Sequence, residues 1–136
     1  MVGSGDTDWM DERISELVEE YSSVPPPWYM FPETHPYDMF WRMGRGESHI
    51  MVFNRWWDRE KGNWDEAQRI EYFRRWPPPP RWLTWMIDVI WDLNPLESEN
   101  PEEFDYSLYF ARTELLGFGT QAEYEKDLDD PRWLNT

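Results

Sequence analysis

The stretch WLTWMIDVIWDLN, residues 82–94, decides the fold class of this protein. Its large apolar side chains recur every three or four residues, which is the spacing of one face of an α-helix and not of a β-strand. The Asn94 and Pro95 pair that follows is typical of the end of a helix. We therefore predict a central core helix here. Its apolar stripe consists of Trp82, Trp85, Met86, Val89, Ile90 and Leu93.

Helical spacing also recurs toward both ends of the chain, whereas the alternation of a half-buried strand hardly occurs. One helix is predicted over residues 8–21, another from Asn100 to Gly117, and a short one after the capping sequence TQAE at residues 120–123. The inward stripe of the first helix is Met10, Ile14, Leu17, Val18 and Tyr21. That of the second is Phe104, Leu108, Ala111 and Leu115.

Proline-rich connections separate these helices. Five prolines lie within residues 24–36, and residues 77–80 are all proline. Because proline fixes φ and has no amide hydrogen, the first connection is predicted to be extended, and the second to end a helix that runs from Asn63 to Trp76. The fold prediction is an all-α protein, a compact single domain over residues 1–136. It has five to six short helices joined by proline- and aromatic-rich segments.

The sequence WRMGRGESHI, residues 41–50, looks most like a small binding loop. It lacks the third glycine of a dinucleotide-binding loop, and no strand precedes it. We interpret it as a corner between two helices: a short helix from Pro36 ends before Gly44, whose φ is predicted to be left-handed. A longer helix then begins near Gly46 or Glu47, where a carboxylate is favourable at the positive end of the helix dipole.

The net charge of −15 is concentrated at the two ends of the chain. Residues 1–34 carry a charge of −7, residues 35–94 are neutral, and residues 95–136 carry −8. Phosphate contacts need surplus Lys and Arg, so nucleic acid and anionic membranes are excluded as expected partners. A basic protein is the complementary partner, because opposite charges speed encounter and reject wrong partners.

The composition also limits the location and chemistry of the protein. No cysteine is present, which excludes disulfides and thiolate chemistry. The first twenty residues have neither the basic region nor the apolar run of a signal peptide. The longest apolar stretch, residues 82–91, is about half the roughly 20 residues that a membrane span needs. We expect a soluble, cytoplasmic protein without a cofactor.

The two histidines raise the possibility of a metal site. His35, Asp38, Glu47 and His49 would converge if the short helix folded against the next one. Their spacing matches no established ligand motif, such as two histidines one helical turn apart. A metal-dependent hydrolase that uses His35, Glu47 and His49 is therefore kept as an alternative, and no metal site is predicted.

Tryptophan and arginine are concentrated in residues 35–94, which hold eight of the eleven tryptophans. Arginine interleaved with tryptophan could stack nucleobases, but nine acidic residues in the same segment cancel the charge. We interpret these arginines as lying over tryptophan rings and pairing with acids of the same segment. Trp and Arg also dominate binding hot spots, which suggests a partly exposed patch. The predicted partner-binding residues are Trp28, Trp76, Arg81, Trp82, Trp133, Arg45 and Glu47, with all four tryptophans expected at the surface.

These features favour a non-enzymatic, acidic protein-binding module, such as an immunity or antitoxin-like inhibitor of a basic protein. A subunit of a larger assembly, with residues 24–36 and 76–82 as docking straps, is the second interpretation. The hydrolase is the third. A row of carboxylates on one face would favour inhibition or an acidic mimic of nucleic acid, whereas evenly scattered carboxylates would favour a role in solubility alone.

Overall fold

The regular structure of the chain is helical throughout the residues that the computed structural model describes, 5–93 and 104–131. This confirms the all-α prediction, although the predicted count of five to six helices is too low. Seven α-helices lie in the described ranges, together with short 3-10 turns at Met39–Arg42, Lys61–Asn63 and Pro80–Trp82. The helices are α1 (Gly5–Tyr21), α2 (Pro27–Met30), α3 (Gly44–Glu60), α4 (Glu66–Arg75), α5 (Leu83–Trp91), α6 (Ser107–Leu116) and α7 (Gln121–Leu128).

Contacts within the chain divide it into two compact units. Unit 1 spans Met1–Asp65 and contains α1, α2 and α3. Unit 2 spans Glu66–Thr136 and contains α4 to α7. The assignment of residues 1–136 to a single folding domain stays a prediction.

The core of unit 1 forms where α1 packs on α3. Met10, Ile14 and Leu17 of the predicted stripe are buried, whereas Val18 lies at the edge of the stripe and is exposed. On α3, one face contributes large buried aromatic side chains, Phe53, Trp56 and Trp57. The burial of one aromatic ring contributes about 1.5–3 kcal/mol, so this α1–α3 contact supplies much of the stability of unit 1.

The first part of the proline-rich segment after α1 is buried, and this corrects the predicted surface position of Trp28. Residues 23–28 are all buried, and Trp28 retains only 5% of its exposure. The expectation that Trp28 lies at the surface is therefore wrong. Prolines have no amide hydrogen that needs a partner, so a Pro-rich backbone enters a core at low cost. The last of the three consecutive prolines also starts α2, a single helical turn inside a segment predicted to be extended.

The corner at residues 41–50 is a turn, although its boundaries differ from the prediction. In place of a two-turn helix from Pro36 there is only the 3-10 turn Met39–Arg42, which the Asp38 side chain caps by accepting the amide of Phe40. The next helix, α3, begins at Gly44 and not at Gly46 or Glu47. Gly44 has the predicted left-handed conformation, with φ of +64°.

In unit 2, helix α5 confirms the predicted core helix, but only part of the predicted stripe is buried: Trp82, Met86 and Ile90 are buried, whereas Trp85, Val89 and Leu93 are half-buried. Leu83, Met86, Ile87 and Ile90 are buried, and the tetraproline follows the end of α4. Trp82 lies in the 3-10 turn directly before α5 and continues its buried face. The exposed fraction of Trp82 is 2%, so its predicted surface position is wrong.

The inward face of α6 was predicted incorrectly. Leu108 and Leu115 are 62% and 88% exposed, whereas Phe110 and Thr113 are buried. Helix α6 begins at Ser107, whose amide donates to the Asp105 side chain, and the predicted start at Asn100 lies outside the described residues. The buried Thr113 hydroxyl lies within hydrogen-bond distance of the carbonyls of Phe110 and Gly119, which holds this face against the following turn.

The final helix agrees with the prediction. Thr120 and Glu123 form a capping box at the start of α7, each side chain bonded to the backbone of the other. Trp133, one of the predicted partner-binding residues, lies outside the described residues. No helix in the described ranges combines the length and apolarity needed to cross a lipid bilayer.

Candidate functional site

A cavity of about 430 Å³ opens between α1, α2 and the first turns of α3 in unit 1. Cavities of this size are typical of small binding sites. We call it the unit 1 groove. Its apolar walls come from Trp9, Met30, Phe31 and Val52, and its polar groups from Glu12, Arg13, Glu16, Arg45, Ser48 and His49.

One side of the groove is bordered by a row of acidic residues on α1. Glu12, Glu16 and Glu19 are four and three residues apart, so they lie on one face of the helix. All three are exposed. Glu12 and Glu19 make no ion pair within the described part of the chain, whereas Glu16 pairs with Arg13. We call these three residues the α1 carboxylate row.

The two arginines of the groove are engaged in different ways. Arg13 donates to the Glu16 carboxylate over 3.1 Å. Arg45, near the start of α3, places its guanidinium carbon 5.9 Å from the centroid of the Phe31 ring. This distance is within the range of a cation–π contact, so the wall of the groove already holds one guanidinium group against an aromatic face.

His49 forms part of the groove from α3 and is 94% buried, with a relative exposure of 6%. Its Nε2 atom lies 2.8 Å from the carbonyl oxygen of Pro25. A carbonyl only accepts, so Nε2 carries the hydrogen and donates it. Burial lowers the pKa of His49, against the effect of the Pro25 hydrogen bond, and the imidazole is neutral at pH 7. Its Nδ1 atom is therefore an acceptor.

The residues of the alternative metal site do not come together. His35 accepts the amide of Tyr37 through Nδ1 over 3.0 Å, and Asp38 caps the 3-10 turn. Glu47 is exposed, whereas His49 is buried against Pro25. Across residues 5–93 and 104–131, no group of three or more His, Cys, Asp or Glu side chains is placed to hold a metal ion.

The predicted partner-binding residues are divided between the two units and differ in exposure. Arg45 and Glu47 are exposed on α3, and Trp76 is half-buried after α4. Trp28, Arg81 and Trp82 are buried, so they present little surface to a partner. Of the residues predicted, only Arg45 lines the unit 1 groove. A contact of Arg45, Glu47 and Trp76 with a partner stays a prediction.

Sequence reasoning missed the acidic and aromatic residues of the groove. Glu12 and Glu16 are spaced by one helical turn in a helix that was predicted, so this part of the row was available as a signal. Trp9 precedes the predicted stripe by one residue and was not considered. The juxtaposition of His49 with α1 depends on the tertiary packing of α1 on α3 and has no local sequence signal.

Two arginines of α3, Arg55 and Arg59, pair with an acid of α1 and not, as predicted, with an acid of their own segment. Arg55 donates to Asp11 over 2.8 Å, and Arg59 bonds to the same carboxylate. These hydrogen bonds, first from Arg55 and then from Arg59, lower the pKa of Asp11 to about 2. The predicted stacking on tryptophan is confirmed at Trp76, where the guanidinium carbon of Arg75 lies 5.6 Å from the ring centroid.

A half-buried carboxyl group in unit 2 is the other acid with a strongly shifted pKa among the described residues. Asp88 on α5 accepts the Tyr106 hydroxyl over 2.8 Å. Desolvation raises the pKa of Asp88 to about 6, against the lowering effect of the Tyr106 hydrogen bond. It lies outside the groove, and within the described residues it belongs to no group of three or more His, Cys, Asp or Glu side chains that could hold a metal ion. We therefore interpret it as a determinant of stability.

Replacing Asp88 with asparagine is expected to change how stability depends on pH. The folded pKa of about 6 exceeds the unfolded value of 3.8, so folded wild type binds more protons and loses stability as pH rises from about 4 to 6. The Asn side chain does not ionise and still accepts from Tyr106. The free energy of unfolding of Asp88→Asn minus that of wild type should rise by about 2 kcal/mol from pH 4 to pH 7, after allowance for partial exposure. Urea titrations at pH 4 and pH 7 measure this difference in the free energy of unfolding. A difference that does not change with pH would contradict the prediction.

No protein-family model, curated protein or solved structure matches this chain.

Proposed function

We propose that this protein is a non-enzymatic binding module that docks a basic protein through α1, in the manner of an immunity protein or another acidic inhibitor. The observation that supports this is the α1 carboxylate row. Glu12, Glu16 and Glu19 project from one exposed face, and two of the three make no ion pair within the described residues. Carboxylates in a row on one face provide a directional field, which a solubilising surface does not need.

The surroundings of the row suit a protein partner. The row borders a groove with apolar walls, and the exposed Trp9 lies three residues before Glu12 on the same helix. An aromatic side chain beside charged groups is the composition of an interface core with a polar rim. Charges at the rim mainly raise the association rate and reject acidic competitors.

The second interpretation, an assembly subunit with two docking straps, has less support. Residues 24–28 of the first strap are buried, and so are Arg81 and Trp82 of the second. The Arg81 backbone amide also donates to Asp127 over 3.0 Å within unit 2. Side chains that fill the core of their own unit are not available to a neighbouring subunit.

Affinity capture with matched charge variants tests the proposed function. The tagged wild-type chain and a Glu12→Gln, Glu16→Gln, Glu19→Gln variant are incubated with lysate of the cells that encode the protein, and captured proteins are ranked by isoelectric point. We expect wild type to retain a strongly basic protein that about 0.5 M salt releases, because salt screens rim charges. The variant should retain about ten-fold less of it.

The matched control removes three charges from unit 2 by the substitutions Glu71→Gln, Glu114→Gln and Glu125→Gln. All three residues are exposed. This control should capture as much of the basic protein as wild type does. Equal losses in both variants would show that net charge alone matters, and capture of only acidic or neutral proteins would contradict the proposal.

A further inference from the structure

The charges that line the unit 1 groove cancel one another. The lining contains two acids, Glu12 and Glu16, and two bases, Arg13 and Arg45. All four of these side chains are exposed, and Arg13 pairs with Glu16 over 3.1 Å. Burial lowers the pKa of His49, so the imidazole adds no positive charge at pH 7. A lining without net charge favours an uncharged occupant, because a charge buried without a counter-charge is costly.

The shielded part of the groove is mostly apolar. Val52 is 1% exposed, and Met30 and Phe31 are half-buried. Trp9 of α1 adds an indole side chain that is 39% exposed. Apart from Trp9, the apolar side chains are therefore withdrawn from solvent while the charged ones remain in it. This is the arrangement of an interface pocket with a polar rim.

We propose that the unit 1 groove binds an aromatic side chain that the basic partner presents. This inference rests on the proposed function and specifies the group that the partner inserts. The α1 carboxylate row attracts the partner, and the groove holds its uncharged anchor. Charges at a rim mainly change the association rate, whereas a few buried anchor residues contribute most of the binding energy.

The aromatic contacts of Phe31 favour an aromatic occupant over an aliphatic one. The Phe31 ring meets the rings of Phe40, Trp41 and His49 edge-on, with centroids 4.8, 5.8 and 6.3 Å apart. Edge-to-face contacts between rings are favourable beyond the area that they bury. A bound ring extends this cluster toward Trp9, and the thioether of Met30 is a favourable neighbour for it.

The size of the groove also fits a ring. An engineered protein cavity of about 150 Å³ holds benzene. The unit 1 groove, at about 430 Å³, has room for a phenyl, phenol or indole group together with the methylene that links it to a backbone. A smaller aliphatic side chain leaves part of the groove unfilled, and apolar walls without neighbouring atoms lose dispersion contacts.

Titration with four capped amino acids tests the inference on the intact chain. The probes are the N-acetyl amides of phenylalanine, tryptophan, leucine and arginine, which share one backbone and differ only in the side chain. The side-chain resonances of the two histidines are observed by NMR. His49 lines the groove and is the reporter, whereas His35 does not line it and is the reference.

We expect the phenylalanine and tryptophan probes to shift the His49 resonances in a saturable way and to leave His35 unchanged. The dissociation constants of the leucine and arginine probes should be about three-fold and about ten-fold larger. Because the aromatic probes are uncharged, their constants should agree within about two-fold between about 0.05 and 0.5 M salt. An unchanged His49, equal affinity for the leucine or arginine probe, or strong weakening by salt would each overturn the inference.

Two variants locate the bound ring. Ser48→Phe places a ring in the groove from α3 and should abolish saturable binding. Trp9→Ala removes an aromatic wall and should raise the dissociation constant of the phenylalanine probe about five-fold. Trp9 is exposed, so this variant tests the groove even if Ser48→Phe does not fold.

The matched control is Trp76→Ala, which removes a half-buried tryptophan of unit 2. It should leave the dissociation constant within about two-fold of wild type. Equal effects of Trp9→Ala and Trp76→Ala would overturn the inference. Self-association of wild type that Ser48→Phe removes, measured by sedimentation velocity, would assign the groove to a second copy of the chain and would also overturn it.

The inference and the proposed function can fail separately. In the affinity capture, Trp9→Ala keeps the α1 carboxylate row and should retain about ten-fold less of the basic protein. If the row is needed for capture while Trp9→Ala has no effect and no aromatic probe binds, the groove does not hold an aromatic anchor and the docking function stands. If the aromatic probes bind and no basic protein is captured, the docking function is wrong.

Discussion

Replacing Gly46 with alanine is expected to destabilise the protein by about 3 kcal/mol. Gly46 is buried in the first turn of α3, where its α-carbon faces Phe40. An added β-carbon would overlap the carbonyl oxygen of Phe40 and lie 2.5 Å from its ring. Phe40 cannot simply move, because Asp38 accepts its amide and Phe31 packs on its ring with centroids 4.8 Å apart. The close contact of α3 with the preceding turn therefore requires glycine.

Thermal and urea unfolding measure this effect, and Gly62→Ala is the matched control. Gly62 lies in the 3-10 turn Lys61–Asn63, and a β-carbon added there has no neighbouring atom within 4 Å. The control should change the free energy of unfolding by no more than about 0.5 kcal/mol. Comparable losses in both variants would show that the overlap with Phe40 does not account for the loss.

The periodic part of the fold was predictable from the sequence, because helices α1 and α5 each bury one continuous stripe. The spacing of Met10, Ile14 and Leu17 is enough to place α1 without knowledge of its partner. Helix α6 shows the limit of this reasoning, because its outward face carries Leu108 and Leu115. Apolar side chains lie on both faces of α6, so spacing alone does not predict which face is buried. The hydrogen bonds of Thr113 hold its own face against the following turn.

Burial next to proline was the other feature that sequence reasoning missed. Trp28 and Trp82 follow runs of proline, which usually lie in surface connections. Here the prolines after Val24 are themselves buried, so their tryptophan neighbour is carried into the core. Because proline has no amide hydrogen, a proline-rich segment can lie in a core. Composition alone, however, does not predict which proline-rich segment is buried.

The candidate site depends on contacts between residues far apart in the sequence, which limits its prediction. From the sequence, His49 is grouped with Glu47 and His35 on the expectation that the short helix after Pro36 folds against the next helix. In the structure its Nε2 atom instead donates to Pro25, 24 residues earlier, and its ring contributes to a groove shared with α1. The carboxylates of α1 could be placed on one helix face from spacing, whereas the groove beside them required the packing of α1 on α3.

Replacing Phe53 or Phe73 with alanine is expected to cost about 4 kcal/mol in each case, the largest effects predicted for this chain. Both side chains are fully buried. Phe53 of unit 1 stacks on Trp57 with ring centroids 5.6 Å apart, and Phe73 of unit 2 meets Tyr72 edge-on at 4.8 Å. Each truncation removes apolar burial and leaves a cavity, because neighbouring aromatic rings relax only in part. Leu115→Ala is the control, and its high exposure predicts a change below about 0.5 kcal/mol.

The pair of variants also tests the assignment of the chain to a single folding domain. If residues 1–136 unfold cooperatively, scanning calorimetry should show one transition, with equal calorimetric and van't Hoff enthalpies. Phe53→Ala and Phe73→Ala should then lower the same transition temperature by similar amounts, because either truncation weakens the whole cooperative unit. If Phe53→Ala moves one transition while Phe73→Ala moves another, the two units unfold independently and the single-domain prediction is wrong. In that case, unit 1 would form the groove and the α1 carboxylate row without any contribution from unit 2.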